Sequence, residues 1–167
     1  MAELEAEIAR LIREYQAKTG KLLTVGTTES ATGGRIADRI TNVPGSSDYF
    51  KGSVVVYSDE MKTALLGVKA ETLENHDAVS EQTALEMARG GRKLLDVDVC
   101  VSDTGIAGPA RDASGKPVGL FYLGLAARDA AMSQKHVFPG SREENKRDAS
   151  EAALNMLKQY LLQCFSK

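Results

Sequence analysis

Apolar residues recur at two spacings along this chain, and the spacing separates the predicted helices from the predicted strands. One set repeats every three or four positions and predicts an amphipathic helix over residues 3–19, ended by Gly20; it comprises Leu4, Ile8, Leu11, Ile12 and Tyr15. Short apolar runs bounded by polar residues predict strands. These runs are 22–27, 52–57, 97–101, 118–127 and 134–138.

Helical patterns alternate with these strands. They cover 32–41, 59–66 opened by Ser58, about 80–95, and a last helix that starts at Ser141 with Glu144 in the capping-box position. The final two strands are joined by a short polar turn at Arg128 and Asp129, which makes them antiparallel. The alternation predicts an α/β fold of about five strands with helices on both faces.

Composition narrows the class of protein. With 167 residues, 43% hydrophobic and 26% charged, the chain is expected to form a single domain over residues 1–167. A net charge of -2 argues against nucleic acid or an anionic membrane as a partner. An acidic N-terminus and the lack of a long apolar run predict a cytoplasmic protein. Cys100 and Cys164 show no metal-ligand spacing, so reduced thiols and no metal are expected.

Three segments share one arrangement, in which an apolar strand runs into hydroxyl, glycine or lysine residues. They are Thr28–Gly34, Tyr57–Lys62 and Thr104–Pro109. Because the carboxyl ends of parallel strands line one crevice of an α/β sheet, these segments are expected to converge. The long loop over residues 103–117, rich in Gly, Pro, Asp and Ser, is expected to belong to the same site.

Ser30 and Lys62 are the candidate reactive pair in these segments. A serine hydroxyl needs a neighbour to accept its proton, and Lys62 in the first turn of a helix is disfavoured as a cation by the helix dipole. The residues alone leave both roles open, because Ser30 also fits a turn serine and Lys62 a solvated helix lysine. His76, in a polar turn, and His136, in a strand, fit ordinary structural histidines better than a base.

Other polar residues admit two interpretations each. Glu29 could orient Ser30 or Lys62, or cap a backbone donor. Thr104 and Gly105 could present donors to a substrate amide, or only turn the chain. Arg142, four residues before Lys146, could meet a phosphate at the helix start, or pair with neighbouring glutamates. The chain lacks the GxxxxGK[ST] phosphate loop and the GxGxxG fingerprint, which argues against a nucleotide triphosphatase or a dinucleotide-dependent dehydrogenase.

Eight motifs in order, between about residues 5 and 162, closely resemble the CinA C-terminal domain family. They are Thr28–Gly34, Asn42–Ser47, Tyr57–Lys62, Leu66–Val68, Ala78–Glu81, Thr104–Pro109, Lys116–Gly119 and Phe138–Arg142. The resemblance implies a three-layer α/β/α sandwich around a mixed, mostly parallel sheet. One departure is Ala31, where the family usually has Cys.

The resemblance also implies an activity, which is hydrolysis of nicotinamide mononucleotide to nicotinic acid mononucleotide and ammonia. It makes Ser30 the nucleophile and Lys62 its activating base. It places Tyr57, Thr104 and Gly105 in the pocket and Arg142 toward the phosphate, with Glu29, Thr32, Gly33 and Gly34 as further binding residues. The expected oxyanion donors lie near 33–34 and 104–105.

No metal or organic cofactor is expected. The expected binding partner is a small nucleotide substrate, and the chain is expected to form a homo-oligomer. Two alternatives stay open. One is a non-catalytic nucleotide-binding or partner-binding module of the same fold, and the other is an amidase for another small amide.

Overall fold

A computed structural model describes residues 2–167, in which helices alternate with the strands of one sheet. The elements are α1 (Ala2–Thr19), β1 (Val25–Glu29), α2 (Arg35–Thr41), a 3-10 turn (Ser46–Asp48), β2 (Phe50–Val55), α3 (Asp59–Leu66), α4 (Ala70–His76), α5 (Glu81–Leu95), β3 (Val99–Gly105), β4 (Leu120–Ala127), β5 (Ala131–Val137) and α6 (Arg142–Cys164). Within residues 2–167, no helix combines the length and apolar character needed to cross a lipid bilayer.

The sheet has the strand order β2-β1-β3-β4-β5. Strands β1, β2 and β3 run parallel, whereas β4 pairs antiparallel with β3 and β5 pairs antiparallel with β4. The mixed five-stranded α/β sheet and the antiparallel final hairpin are therefore confirmed. Because β1 and β3 lie inside the sheet, hydrogen bonds and helices cover them on all sides, and every residue of β1 is buried.

Side-chain alternation along the strands gives the sheet two different faces. Val99 and Val101 of β3 lie beside Leu123 and Leu125 of β4 in the main core, against α1 and α6. The opposite face carries small or polar residues and lies against α5, with α3 and α4 packed outside it. One example is Ser102, whose Oγ donates to the Ala84 carbonyl of α5 at 2.6 Å. The result is the predicted three-layer sandwich.

Several helix starts agree with the sequence signals. Ser58 Oγ accepts the Met61 N–H at 3.2 Å and begins α3. Ser141 and Glu144 form the full capping box of α6, each side chain accepting the other's backbone N–H. These caps set the first turns of α3 and α6, which carry Lys62 and Arg142.

The strand limits differ from the sequence prediction. β1 begins at Val25 instead of Leu22, because the backbone and hydroxyl of Thr24 bond to the Asp98 carboxylate at 2.9 and 3.0 Å. β2 ends at Val55, two residues early, and leaves Tyr57 in the following loop. β3 begins two residues later and continues to Gly105, because its carboxyl end pairs with β4.

Other limits differ as well. β4 begins at Leu120, where residues 118–119 were expected to be strand, and β5 covers 131–137 in place of 134–138. Helix α2 begins at Arg35 instead of residue 32, because Gly33 and Gly34 adopt positive φ of 65° and 102° and cannot continue a helix. Helix α4 was not predicted, and His76 ends it.

Candidate active site

The three strand-end segments converge on one cavity of about 270 Å³ at the carboxyl ends of β1 and β3. The side chains and backbone that line it include Ser30, Tyr57, Lys62, Thr104, Gly105 and Arg142. These residues come from four separate stretches of sequence. The expected convergence is therefore present, and it includes the start of α6.

Lys62 lines the cavity but is almost wholly buried, with 2% of its surface exposed. Its Nζ donates to the Tyr57 carbonyl at 3.4 Å and lies 3.9 Å from Oδ1 of Asp59. Burial lowers the pKa of Lys62, while the charges of Asp59 and Asp103 act in the opposite direction. Burial therefore shifts Lys62 toward the neutral amine, which is the form that can accept a proton.

Ser30 follows the last residue of β1 and is 7% exposed. Its backbone N–H donates to Oδ1 of Asp103 at 3.0 Å. Within residues 2–167, no hydrogen bond joins Ser30 Oγ to Lys62 Nζ, although both residues line the cavity. Catalytic hydrogen bonds of this kind often shorten only when substrate is bound.

Glu29 is fully buried and accepts the backbone N–H groups at the start of α2. Its carboxylate receives those of Gly34 at 3.1 Å, Ile36 at 2.9 Å and Ala37 at 2.9 Å. Of the interpretations drawn from the sequence, the contacts match the backbone cap. Among the described residues that line the cavity, Glu29 does not occur, and neither do Thr32, Gly33 or Gly34.

The N–H groups of Gly33 and Gly34 are engaged within the fold. Gly33 donates to the Ser30 carbonyl at 3.1 Å, and Gly34 donates to Glu29. The expectation that donors near 33–34 hold an oxyanion therefore does not fit this structure, because both donors already have acceptors.

Thr104 and Gly105 meet the cavity at the end of β3. The Thr104 hydroxyl donates to the Ala78 carbonyl at 2.7 Å and so holds the segment before α5. A Cβ at position 105 would lie 2.3 Å from the Phe121 ring, so Gly105 permits close packing against β4. Both residues shape the wall of the cavity.

Arg142, in the first turn of α6, also lines the cavity. Its guanidinium donates to the Gly108 carbonyl at 2.7 Å and to the Tyr57 hydroxyl at 3.0 Å. These contacts fix a cation beside the helix N-terminus, where the dipole also favours an anion. The cavity thus brings a serine and a buried lysine together with a guanidinium that neighbouring residues hold in place.

Asp103 is the functional candidate that sequence reasoning missed. It is completely buried in β3, and burial raises its pKa to about 6; hydrogen bonds from Thr32 and Ser30 lower the pKa, whereas the Glu29 charge raises it. The Thr32 hydroxyl lies 2.7 Å from Glu29 Oε1 and 2.5 Å from Asp103 Oδ1. An aspartate inside an otherwise uncharged run, directly before Thr104, was the available signal.

Neither histidine takes part in the site. His76 ends α4, and His136 on β5 stacks on Phe138 with ring centroids 5.3 Å apart. Among the described residues, neither lines the cavity.

A larger groove of about 520 Å³ lies between α1 and α6. Its charged residues neutralise one another, since Lys158 pairs with Glu7 at 2.9 Å and Arg39 pairs with Glu5 and Glu151. Among the described residues that line the groove there is no serine and no buried lysine, so the smaller cavity is the candidate active site.

Comparison with known proteins gives one consistent result. The family model described as the CinA C-terminal domain matches residues 3–161. A CinA-like protein of Sulfurihydrogenibium sp. is 42% identical over 160 residues, which cover 96% of this chain and 38% of that protein. A CinA-like protein of Endomicrobium trichonymphae is 50% identical, over 83% of this chain and 32% of that protein. The chain thus spans about a third of the length of the curated relatives it matches.

Solved structures match over nearly their whole length. The competence damage-inducible protein A of Klebsiella pneumoniae superposes with a TM-score of 0.89 at 33% identity, covering 96% of each chain. A competence/damage inducible protein of Agrobacterium tumefaciens gives a TM-score of 0.83 at 36% identity, covering 92% of this chain and 93% of that one.

Proposed function

We propose, since this chain belongs to the CinA C-terminal domain family, that it hydrolyses the carboxamide of nicotinamide mononucleotide to nicotinic acid mononucleotide and ammonia. The observation that carries the proposal is the cavity that Ser30 and the buried Lys62 share with the fixed guanidinium of Arg142. A mononucleotide amide has a neutral carboxamide at one end and a phosphate at the other. Ser30 and Lys62 supply groups that can react with the carboxamide, and Arg142 supplies a cation that can bind the phosphate.

The chemistry begins with a proton transfer. Lys62, whose pKa is lowered by burial, in its neutral form accepts the proton of the Ser30 hydroxyl, and the oxygen attacks the carboxamide carbon. The tetrahedral intermediate then collapses when Lys62 returns the proton to the departing nitrogen, which leaves as ammonia. Water attacks the resulting ester, Lys62 takes its proton, and the C–O bond to Ser30 breaks with return of that proton to the serine.

Arg142 contributes binding and orientation in this scheme. Its guanidinium meets the phosphate, and its hydrogen bonds to Tyr57 and Gly108 hold it in place before substrate arrives. Binding of the phosphate at Arg142 is expected to orient the mononucleotide so that its carboxamide reaches Ser30. A nucleoside without the phosphate is expected to bind weakly for this reason.

Ammonia release from nicotinamide mononucleotide tests the proposal. We expect Ser30→Ala and Lys62→Met to lower kcat at least about 10³-fold, because each removes a reacting group. The matched control is Ser47→Ala, an exposed serine in the 3-10 turn away from the cavity, which should keep full activity. Equal rates for Ser30→Ala and the unmodified chain would exclude Ser30 from the mechanism.

The same protein samples separate the two alternatives. Thermal stabilisation by nicotinamide mononucleotide without ammonia release would identify a nucleotide-binding module, because a ligand that binds only the folded state raises its stability. Ammonia release from a panel of small amides, but not from this mononucleotide, would identify a different amidase. A homo-oligomer also stays a prediction, which light scattering of the purified chain measures directly.

A further inference from the structure

The side chain of Asp103 holds the turn after β1 through hydrogen bonds to its backbone. Its two carboxylate oxygens accept two backbone N–H groups, that of Ser30 at 3.0 Å and that of Thr32 at 3.1 Å. Asp103 is fully buried, so water does not compete for these bonds. One side chain therefore holds the backbone on both sides of residue 31.

These bonds leave one backbone donor of the turn without an acceptor. The N–H groups of Gly33 and Gly34 are engaged by Ser30 and Glu29, as described above. Within residues 2–167, the N–H of Ala31 has no hydrogen-bond acceptor, and Ala31 lines the cavity. It directly follows the candidate nucleophile, the position from which other serine hydrolases supply a donor to the oxyanion.

We propose that Asp103 is a positioning residue that holds the Ser30–Thr32 turn so that the N–H of Ala31 is the donor to the developing oxyanion. The proposal rests on the proposed function, since the oxyanion is that of the amide hydrolysis. It assigns the stabilising donor to the backbone of residue 31, so the side chain at that position can vary without loss of the donor. Asp103 acts through the turn and does not touch the substrate.

Asp103→Asn is the informative substitution. The asparagine side chain offers one oxygen and one NH2 group, so only one of the two backbone N–H groups keeps an acceptor and the other faces a donor. The matched control is Asp98→Asn at the opposite end of the same β3 segment, where the carboxylate also accepts a backbone N–H, from Thr24 at 2.9 Å. That control lies outside the cavity and should keep full activity.

The kinetic test uses nicotinamide mononucleotide. We expect Asp103→Asn to lower kcat on the order of 10²-fold, as for loss of one oxyanion donor, with KM changed less than about threefold. We also expect the rising limb of kcat/KM against pH to move to lower pH. The reason is that the Asp103 charge raises the pKa of Lys62, so its removal lowers that pKa.

Other charges around the pair stay constant in this comparison. Asp103 faces Glu29 from β1, and Lys62 faces Asp59 from its own helix, while the remaining titratable groups of the cavity are Tyr57, Arg111, Asp112 and Arg142. A kcat within twofold of the unmodified chain would overturn the positioning role.

Amide hydrogen exchange tests the arrangement independently of any substrate. In the unliganded protein, Ser30 and Thr32 should exchange at least about tenfold more slowly than Ala31. In Asp103→Asn, the amides of Ser30 and Thr32 should lose protection while those of β3 keep it, which also shows that the variant is folded. Protection of Ala31, or unchanged protection of Ser30 and Thr32 in the variant, would overturn the proposal. If the unmodified chain releases no ammonia, the proposed function is refuted. The exchange pattern would still show whether Asp103 holds the backbone of Ser30 and Thr32 and leaves the N–H of Ala31 free.

Discussion

Replacing Lys62 by methionine should make the protein more stable while abolishing its activity. The side chain is 2% exposed. Within residues 2–167, the single hydrogen-bond acceptor for its N–H donors is the Tyr57 carbonyl at 3.4 Å, since Asp59 lies at 3.9 Å. Methionine has a similar length and no donors. The substitution therefore removes buried polar groups that are incompletely paired.

The size of the gain follows from these contacts. A buried donor without an acceptor costs about 1–3 kcal/mol, and the weak bond to Tyr57 returns part of that amount. We expect the free energy of unfolding of Lys62→Met to rise by about 1–2 kcal/mol, which corresponds to an increase in Tm of roughly 2–8 °C for a domain of this size.

The gain should depend on pH in a defined direction. Burial lowers the pKa of Lys62, so the unfolded chain keeps its proton up to about pH 10.4 while the folded chain releases it earlier. The stability of the unmodified protein therefore rises with pH across that interval. The advantage of Lys62→Met should be largest near neutral pH and should shrink as the pH approaches 10.

Urea unfolding at several pH values between 6.5 and 9.5 measures this effect. Lys69→Met is the control, because Lys69 is exposed and its variant should show no comparable gain. A lower free energy of unfolding for Lys62→Met, or a gain that is the same at every pH, would refute the account of Lys62 as a destabilised buried amine.

Three further predictions follow from other contacts. Glu29→Gln should lower the free energy of unfolding, measured by urea titration, by about 2–4 kcal/mol, because three N–H groups at the start of α2 lose a charged acceptor. The control Glu71→Gln, at an exposed position, should change that free energy little. Gly91→Ala should lower the free energy of unfolding by about 1–3 kcal/mol, because the new Cβ would lie 2.2 Å from Thr28 Cγ2. An unchanged denaturation midpoint would contradict the close packing of α5 in this region. Arg142→Gln should raise KM for nicotinamide mononucleotide about tenfold or more with a smaller change in kcat, in steady-state ammonia assays, since it removes the cation expected to bind phosphate.

Much of the site could be predicted because its signals are local. Ser30, Lys62 and Arg142 each lie just after a strand or in the first turn of a helix, and caps at Ser58 and Ser141 mark those turns. Their convergence follows from the general rule for strand ends in α/β sheets, and the family resemblance gave the order of the motifs.

The function of Asp103 could not be predicted in the same way. It depends on β3 lying next to β1, which brings its carboxylate to backbone N–H groups 71 and 73 residues away. Similarly, the sequence left three roles open for Glu29, and only the path of the chain from β1 into α2 brings its carboxylate to the helix N–H groups. The strand limits depended on partners distant in sequence, such as Asp98 for Thr24.

The hydrogen bond from Arg142 to Tyr57 joins two residues that line the cavity and lie 85 positions apart in the sequence. It can form only after β2 has joined the sheet and α6 has packed against it. Contacts of such long sequence separation are slow to form. In a refolding experiment, the helical signal in circular dichroism should therefore return first and ammonia release last. The recovery of ammonia release would then report the rate of the final step of folding.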